Sequence, residues 1–427
     1  MSTDAQALTT RGWQQRYNIV LLCVLAAFIC YIDRVNISVA AIAMQEEFGW
    51  SNETKGLVLS SFFVGYMLFM VPSGWCANRL GGKIVLGFAV LWWSLFTILT
   101  PVAALVSLPI LIVTRILMGM GEAATFPAAY SLYGRWIPES ERSRAVALLV
   151  GGIPLGTLFA LTTTGWLINE YGWPSVFYLF GASGVIWAIA WHLLAHDKPA
   201  DNPRVSAAEL ALLSQNQHPA EKSAQIPWHK ILTAAPVWAL VANHFCSNWG
   251  FYVLLAWLPS YFRTELGLSI ASAGIYSALP WLTMFVCGNL SGVLADRLIS
   301  GGMNTTVVRK AMQCTGLVGS SLFLLLSIDV DNATQAMGLM CGALGFLALT
   351  WAGFIPNHLE IAPRHADVLM GITNTAGTIP GIIGVYVTGW LVDSSGAFSA
   401  PFILAAAINI FGALIWLGFG TSKQIIK

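Results

Sequence analysis

Charge is scarce in this sequence. Only 10% of its 427 residues are Asp, Glu, Lys or Arg, where a soluble protein averages about 25%. A chain that is also 56% hydrophobic cannot clothe a water-facing surface, so a soluble domain is excluded. Spaced metal ligands, a nucleophile elbow and a phosphate-binding glycine loop are all missing. An enzyme would have no chemistry to work with, and neither a metal nor an organic cofactor is expected. The seven cysteines, Cys23, Cys30, Cys76, Cys246, Cys287, Cys314 and Cys341, show no CxxC spacing and fall in or beside apolar runs. They read as small core residues. A net charge of +1 carries no sign of a nucleic-acid partner. A removable signal peptide is not expected either, because the first apolar run, Tyr17 to about Ala43, is too long and holds Asp33 and Arg34.

What the sequence has instead is about twelve apolar stretches, each near the roughly 20 residues that a helix needs to cross a bilayer's hydrocarbon. They centre near Phe28, Val64, Leu91, Gly119, Ile153, Val185, Phe251, Phe285, Leu322, Leu344, Thr378 and Ala407. Such runs are too long for the alternating strands of a membrane barrel, so an all-α membrane protein follows. With twelve crossings, the segments on the side of the N-terminus hold Arg11, Arg16, Arg79, Lys83, Arg135, Arg142, Arg144, Lys198, Arg204, Lys222, Lys230, Arg297, Arg309, Lys310, Arg364, Lys423 and Lys427. The other side holds Lys55 and Arg263. This bias predicts cytoplasmic termini and a multi-pass protein of the cell's inner membrane.

The chain divides in half. GWCANRLGGK from Gly74 is echoed by GVLADRLISGG from Gly292, IPESER near Pro138 by APRHAD near Pro363, and YGWPSVF near Gly172 by SGAFSAPF near Gly396. The three offsets lie between 218 and 225 residues, which predicts two pseudo-symmetric six-helix bundles. The expected division is a tail over 1–16, a bundle over 17–195, a polar linker over 196–235, a second bundle over 236–421 and a tail over 422–427. Within the linker, SAAELALLSQ reads as a short helix. Gly74, Asn78, Arg79, Gly82 and Lys83 are expected to form a tight gating turn after the second helix, with Asp296 and Arg297 as its second-half counterpart. Ser51 or Asn52 is placed to cap the second helix.

GWCANRLGGK and its echo resemble the loop signature of the major facilitator superfamily. RILMGMGEAATFPAAYSLYGRWIPESERSRA, Arg115 to Ala145, resembles the helix 4 to 5 signature of its anion:cation symporter branch. FCSNWGFYVLLAWLPSYF in helix 7 and NHLEIAPRHADVLMGITNTAGTIPG in helices 10 to 11 are similar to the same branch. That branch includes bacterial sugar-acid transporters, animal sialic acid and vesicular glutamate transporters, and plant plastid anion transporters. The resemblance spans nearly the whole chain and implies the major facilitator fold.

A charge at the centre of a membrane helix costs roughly 2.5 to 3.5 kcal/mol on insertion scales, so it faces a partner or a watery path. Arg34 can hold a carboxylate or phosphate bidentately and stays protonated. It is either an anion anchor or one half of a permanent salt bridge to an acid of helix 4, and the resemblance implies the anchor. Asp33 points about 100° away from Arg34 and reads as a separate proton or gating group. Arg115 and Glu122, seven residues apart, fall on nearly one face. Glu122 is the first choice for a coupling proton, and a structural Arg115–Glu122 tie is the alternative. Tyr31 and Tyr66 offer hydroxyls and rings, and the resemblance implies that both bind substrate. His244, Asn248 and Tyr252 form one polar stripe on helix 7, fit either for substrate or for helix packing. Asn374 and Thr378 repeat the one-turn spacing on helix 11, where the resemblance implies a substrate role for Asn374. Asn357 and His358 read as a gate or cap near the end of helix 10.

Three departures from the branch narrow the substrate. Ser247 stands where the glutamate carriers have a second arginine, and Tyr130 where they have a histidine. GGIPLG, from Gly151, offers only backbone where bacterial sugar-acid relatives place a glutamine, which counts against a polyhydroxylated ligand. One clear anchor favours a monoanion. The expected protein is therefore a secondary active transporter, a proton-coupled symporter of a small organic anion such as a sugar acid, uronate or sialic-acid-like compound, working by alternating access. Its partners would be that anion, protons and the bilayer, and the resemblance implies a monomer. The rival readings are an inorganic phosphate or sodium-coupled carrier and, from another class, a membrane sensor that binds without transport.

Overall fold

The computed structural model describes residues 13–215 and 226–426. Arg11, Lys222, Lys427 and the first twelve residues of the expected tail lie outside them. Among the described residues, twelve long helices cross the molecule in alternating directions. They are α1 (Gln15–Phe48), α2 (Asn52–Leu80), α3 (Gly82–Val106), α4 (Leu108–Trp136), α5 (Glu139–Tyr171) and α6 (Trp173–Leu194) in the first half. The second half holds α7 (Ala235–Thr264), α8 (Ile270–Ser300), α9 (Thr305–Leu326), α10 (Ala333–Ile361), α11 (Ala366–Ser395) and α12 (Ser399–Phe419). Ten are long and apolar enough to cross a membrane by themselves. The other two, α7 and α9, are diluted by buried polar residues such as Asn243, His244 and Gln313.

Two helices are interrupted. The first part of α4 ends at Glu122, and the helix resumes at Thr125. The last turns of α10 are broken into Thr350–Gly353 and Asn357–Ile361. Each break sits beside residues that the sequence singles out, Glu122 in one and His358 in the other.

α1–α6 and α7–α12 form two six-helix bundles. They meet along a seam where α2 packs on α11, α5 on α8, and α1 on α7. Close approach at the seam needs residues without a Cβ. A side chain at Gly274 of α8 would strike the Leu161 carbonyl of α5, and one at Gly389 of α11 would strike the Asn52 carbonyl. Both termini and the linker lie at one end of the seam, here the termini face. The loops after Phe48, Thr264 and Ser395 lie at the far face.

The turn after α2, expected from the sequence to act in gating, is shorter than expected. Gly74, Asn78 and Arg79 continue α2, and the reversal falls on Gly81 alone, at φ +90° in the region that favours glycine. Leu80 ends one helix and Gly82 begins the next, because Gly82 must sit against the Ala128 carbonyl of α4. Asp197, just past α6, ties this corner: it accepts from the Lys83 backbone N–H at 3.2 Å and pairs with Arg135. In the second half Asp296 and Arg297 are exposed on α8 and make no ion pair. The echo is one of sequence and fold position, not of contacts.

The linker contains Ala207–Gln215 and Trp228–Thr233 as short helices, while 216–225 lies outside the described residues. Glu209 accepts from the backbone N–H groups of Gln15 and Arg16 at 3.1 and 3.0 Å, so the linker caps α1. The C-terminal segment is not a free tail. Ile425 and Ile426 both donate to the Ile361 carbonyl, and Ile426 is buried. Ser51 caps α2, accepting from the Thr54 N–H.

Candidate functional site

Residues 29 to 42 of α1 are buried on every side, so charge here must be matched within the protein. Arg34 is matched by Glu122. Its Nε and a terminal nitrogen both reach Glu122 Oε2 at 3.0 Å, and the pair is 4% and 0% exposed. A second terminal nitrogen donates to the Tyr31 hydroxyl at 3.3 Å. The guanidinium lies 4.6 Å from the Tyr31 ring, 4.7 Å from Tyr66 and 5.1 Å from Phe62. Their electron-rich faces stabilise a cation that water does not reach.

The Arg115–Glu122 tie, an alternative read from the sequence, is not formed, whereas the alternative salt bridge of Arg34 to an acid of helix 4 is. Arg115 donates to Met118 Sδ at 3.0 Å and stands 5.4 Å from the Phe62 ring, while its Nε has no partner. Glu122 is instead drawn across to α1, where Cys30 Sγ also approaches its Oε2 at 3.3 Å. Helical phase alone placed Arg115 and Glu122 on one face. The inter-helix contact with Arg34, which phase cannot reveal, decides the pairing.

Around this pair are buried polar atoms without hydrogen-bond partners, both side-chain atoms of Asn36, Arg115 Nε and Glu122 Oε1, while Asp33 faces the Trp93 indole N–H. Buried polar groups are almost always satisfied. Asp33 is fully buried and unpaired to Arg34, as the angle between the two positions requires.

Two spaces adjoin the pair. A void of about 20 Å³ lies against Arg34, Ser38, Phe62, Phe63 and Arg115. A larger cavity, about 490 Å³, opens between the bundles with Tyr31 and Thr157 on one wall and His244, Asn248, Tyr252, Trp281 and Trp351 on the other. Tyr31 thus touches both the cavity and Arg34. Tyr252 lines the cavity with its ring 4.6 Å from Phe63 across the seam.

Helix α11 contributes less than expected. Thr378 is fully buried and its hydroxyl donates to the Asn374 carbonyl of its own helix, so it is not presented to the cavity. Asn374 donates to Met70 Sδ of α2 at 3.2 Å and belongs to the seam. Ser247 accepts from Gln313, and Tyr130 is 44% exposed. His358 is tied by hydrogen bonds to Ile355 and Thr373, and Asn357 to Glu360, Thr421 and Ser422.

Sequence reasoning missed Lys55. It is fully buried at the far end of the seam, donating to Gln45 at 2.6 Å and Ser260 at 3.1 Å above the Trp257 ring. Its place one turn after the cap Ser51 was the available signal, since such a position faces inward if the turn does.

The profile described as Major Facilitator Superfamily matches residues 23–385. The chain belongs to the major facilitator superfamily. Among curated superfamily members, it is 42% identical to the ascorbate transporter, chloroplastic, of Arabidopsis thaliana, over 97% of this chain and 77% of that protein. It is 40% identical to the sodium-dependent phosphate transport protein 1, chloroplastic, of Arabidopsis thaliana, over 100% and 84% of the two chains. Among solved superfamily structures, it resembles a bacterial homologue of the human lysosomal transporter Spinster, in an inward-facing and occupied conformation. The TM-score is 0.79 at 17% identity, over 95% of this chain and 97% of that one, and this shows the shared fold. A superfamily of multi-pass membrane transporters, not an enzyme family, is the frame for the site.

Proposed function

We propose that the protein is a proton-coupled symporter of a small organic monoanion. The observation that carries this reading is the Arg34–Glu122 pair, buried at mid-seam and joined to the cavity through Tyr31. A substrate carboxylate and Glu122 compete for one guanidinium. When Glu122 takes a proton on its carboxylate it ceases to be a counter-ion, and Arg34 is released to bind the anion arriving from the cavity. Proton and anion then reorient together, so no net buried charge is moved. Asp33, fully buried beside Trp93, is the second proton site, and Arg115 keeps the field around Glu122 positive. Tyr31, Tyr66, Asn248 and Tyr252 contribute to binding, whereas Asn374 is proposed to act at the seam.

The seam is closed at the far face, and the bias of Lys and Arg places the termini in the cytoplasm. In this reading the conformation is inward-facing. The membrane is the cell's inner membrane, with a plastid envelope as the alternative suggested by the names of the plant relatives, and the protein works as a monomer.

The test is uptake into proteoliposomes. Glu122→Gln should bind and exchange anion but fail to concentrate it up a pH gradient; concentration by that variant would refute the proton assignment. Arg34→Lys should lose nearly all binding, since the bidentate fork is gone. The second reading, sodium-coupled phosphate transport, is favoured by the name of the phosphate-transporting relative. Competition by phosphate, together with loss of uptake when choline replaces sodium, would establish it instead.

A further inference from the structure

Two residues of α7, His244 and Asn248, are each held by a residue of α11, Thr373 and Gly377, at matching one-turn spacings. His358 donates from Nδ1 to the Ile355 carbonyl at 2.9 Å. A carbonyl can only accept, so in the neutral ring His358 Nε2 carries the lone pair. That nitrogen lies 2.8 Å from Thr373 Oγ, so the threonine hydroxyl donates to it in preference to the Met370 carbonyl at 3.4 Å. Thr373 Oγ must then accept from its other neighbour, His244 Nδ1, at 3.1 Å. The chain of bonds fixes one tautomer of His244, with Nε2 as a bare acceptor. Nε2 makes no hydrogen bond within the protein, is not sealed from solvent, and belongs to a residue lining the cavity.

Asn248 is fixed in the same sense. Its Nδ2 donates to the Gly377 carbonyl at 2.8 Å, which turns Oδ1 away from α11. Glycine at 377 is required for this, because a Cβ there would lie 2.8 Å from His244 Nε2 and 2.9 Å from Asn248 Nδ2.

We infer that His244 and Asn248 form a double acceptor for substrate hydroxyl groups, with Thr373 and His358 as positioning residues that set the tautomer of His244. The inference rests on the anion-transport reading and deepens it. A ligand held at Arg34 by its carboxylate would offer two hydroxyl donors roughly 5 to 6 Å apart, the spacing of adjacent turns. The cavity, at about 490 Å³, accommodates a hydroxy acid of five or six carbons and leaves a bare phosphate mostly unmatched. The missing glutamine of α5 therefore does not exclude a polyhydroxylated ligand, since the acceptors come from α7.

The full-length protein in nanodiscs tests this by calorimetry with D-gluconate and its deoxy counterpart hexanoate. Wild type should prefer gluconate. His244→Phe should weaken gluconate about tenfold, the loss of one well-made hydrogen bond with a buried partner, and leave hexanoate within about twofold. Thr373→Val should move the ratio the same way and less, Thr373→Ser should restore it, and these two variants carry the test if His244→Phe does not fold. An equal preference of wild type for the two acids, or a gluconate-to-hexanoate ratio unmoved by His244→Phe and Thr373→Val, overturns the inference. Arg34→Lys separates the readings. If it weakens both acids while the α7 variants do nothing, the acceptor pair is wrong and the transport site stands. If it weakens neither, the transport site itself is wrong and the acceptor pair falls with it.

Discussion

The two ends of the seam use the same kinds of residue to opposite effect. At the far face the polar ties cross between bundles. Asp393 of α11 accepts from the first backbone N–H groups of α2, those of Asn52 and Glu53, at 3.0 and 2.7 Å. Arg263 of α7 pairs with Glu46 of α1 at 2.9 Å, Lys55 reaches Ser260, and Tyr386 donates to Glu53. At the termini face the ion pairs stay within a bundle or bind it to the linker: Arg16 to Glu141 and Glu209, Arg135 to Asp197, Arg309 to Glu360. Among the described residues, the polar contact across the seam nearest the termini is the weak one from Asn374 to Met70. One end is therefore latched shut between halves, while the other consists of two internally braced halves free to separate. Asp393 supplements the Ser51 cap of α2 from the opposite bundle, so opening the far face strips the Asn52 and Glu53 N–H groups of their acceptor.

The comparison can be broken most strongly by releasing the latch. Asp393→Asn with Glu46→Gln removes the charge from two of the four ties; both carboxylates are exposed, so together they contribute about 1 to 2 kcal/mol. In a background without the seven native cysteines, a cysteine at Ser38 should then react at least about tenfold faster with an impermeant maleimide added from the far face. Unchanged labelling would mean that packing of α2 on α11, not the polar ties, holds this end.

A smaller effect is expected at the termini face. Arg16→Gln leaves Glu209, 2% exposed, short of a cation and should lower stability by about 1 to 3 kcal/mol, the usual loss when a buried polar partner is removed. Thermal unfolding should register this while labelling at Ser38 stays put. A change in labelling would show that the two ends are not independent.

Asn374→Leu should change labelling by less than about twofold, because an N–H to sulfur bond is weak. A large fall in anion affinity in the same variant would return Asn374 to the binding site. Arg263→Gln should matter least. Its pair with Glu46 is 35% and 54% exposed, so a loss of about 0.5 kcal/mol at low salt, vanishing at high salt, is expected from unfolding curves at two ionic strengths.

The fold was almost wholly legible in the sequence. Runs of apolar residues near the length of a bilayer crossing, alternating Lys and Arg loops, and paired motifs half a chain apart specify twelve helices and two halves, because each is a local property read along the chain. The site was legible in its members and not in its contacts. Arg34 and Glu122 stood out as charges that the segment around them could not tolerate alone. A salt bridge from Arg34 to an acid of helix 4 was one of the readings left open, because helical phase ranks neighbours on one helix and cannot choose between partners on different helices. Thr378, placed by phase toward the ligand, turned its hydroxyl to its own backbone, and Lys55 read as a loop cation while lying buried under Trp257.

The sequence by itself determined that this is a membrane transporter of the major facilitator superfamily with an expensive arginine and glutamate inside it. Only the tertiary structure decided that the arginine holds the helix 4 acid, which ring nitrogen of His244 meets Thr373, and which end of the seam is shut. Each depends on distances of a few ångströms between segments dozens to hundreds of residues apart, and hydrogen bonds and ion pairs act only over such distances.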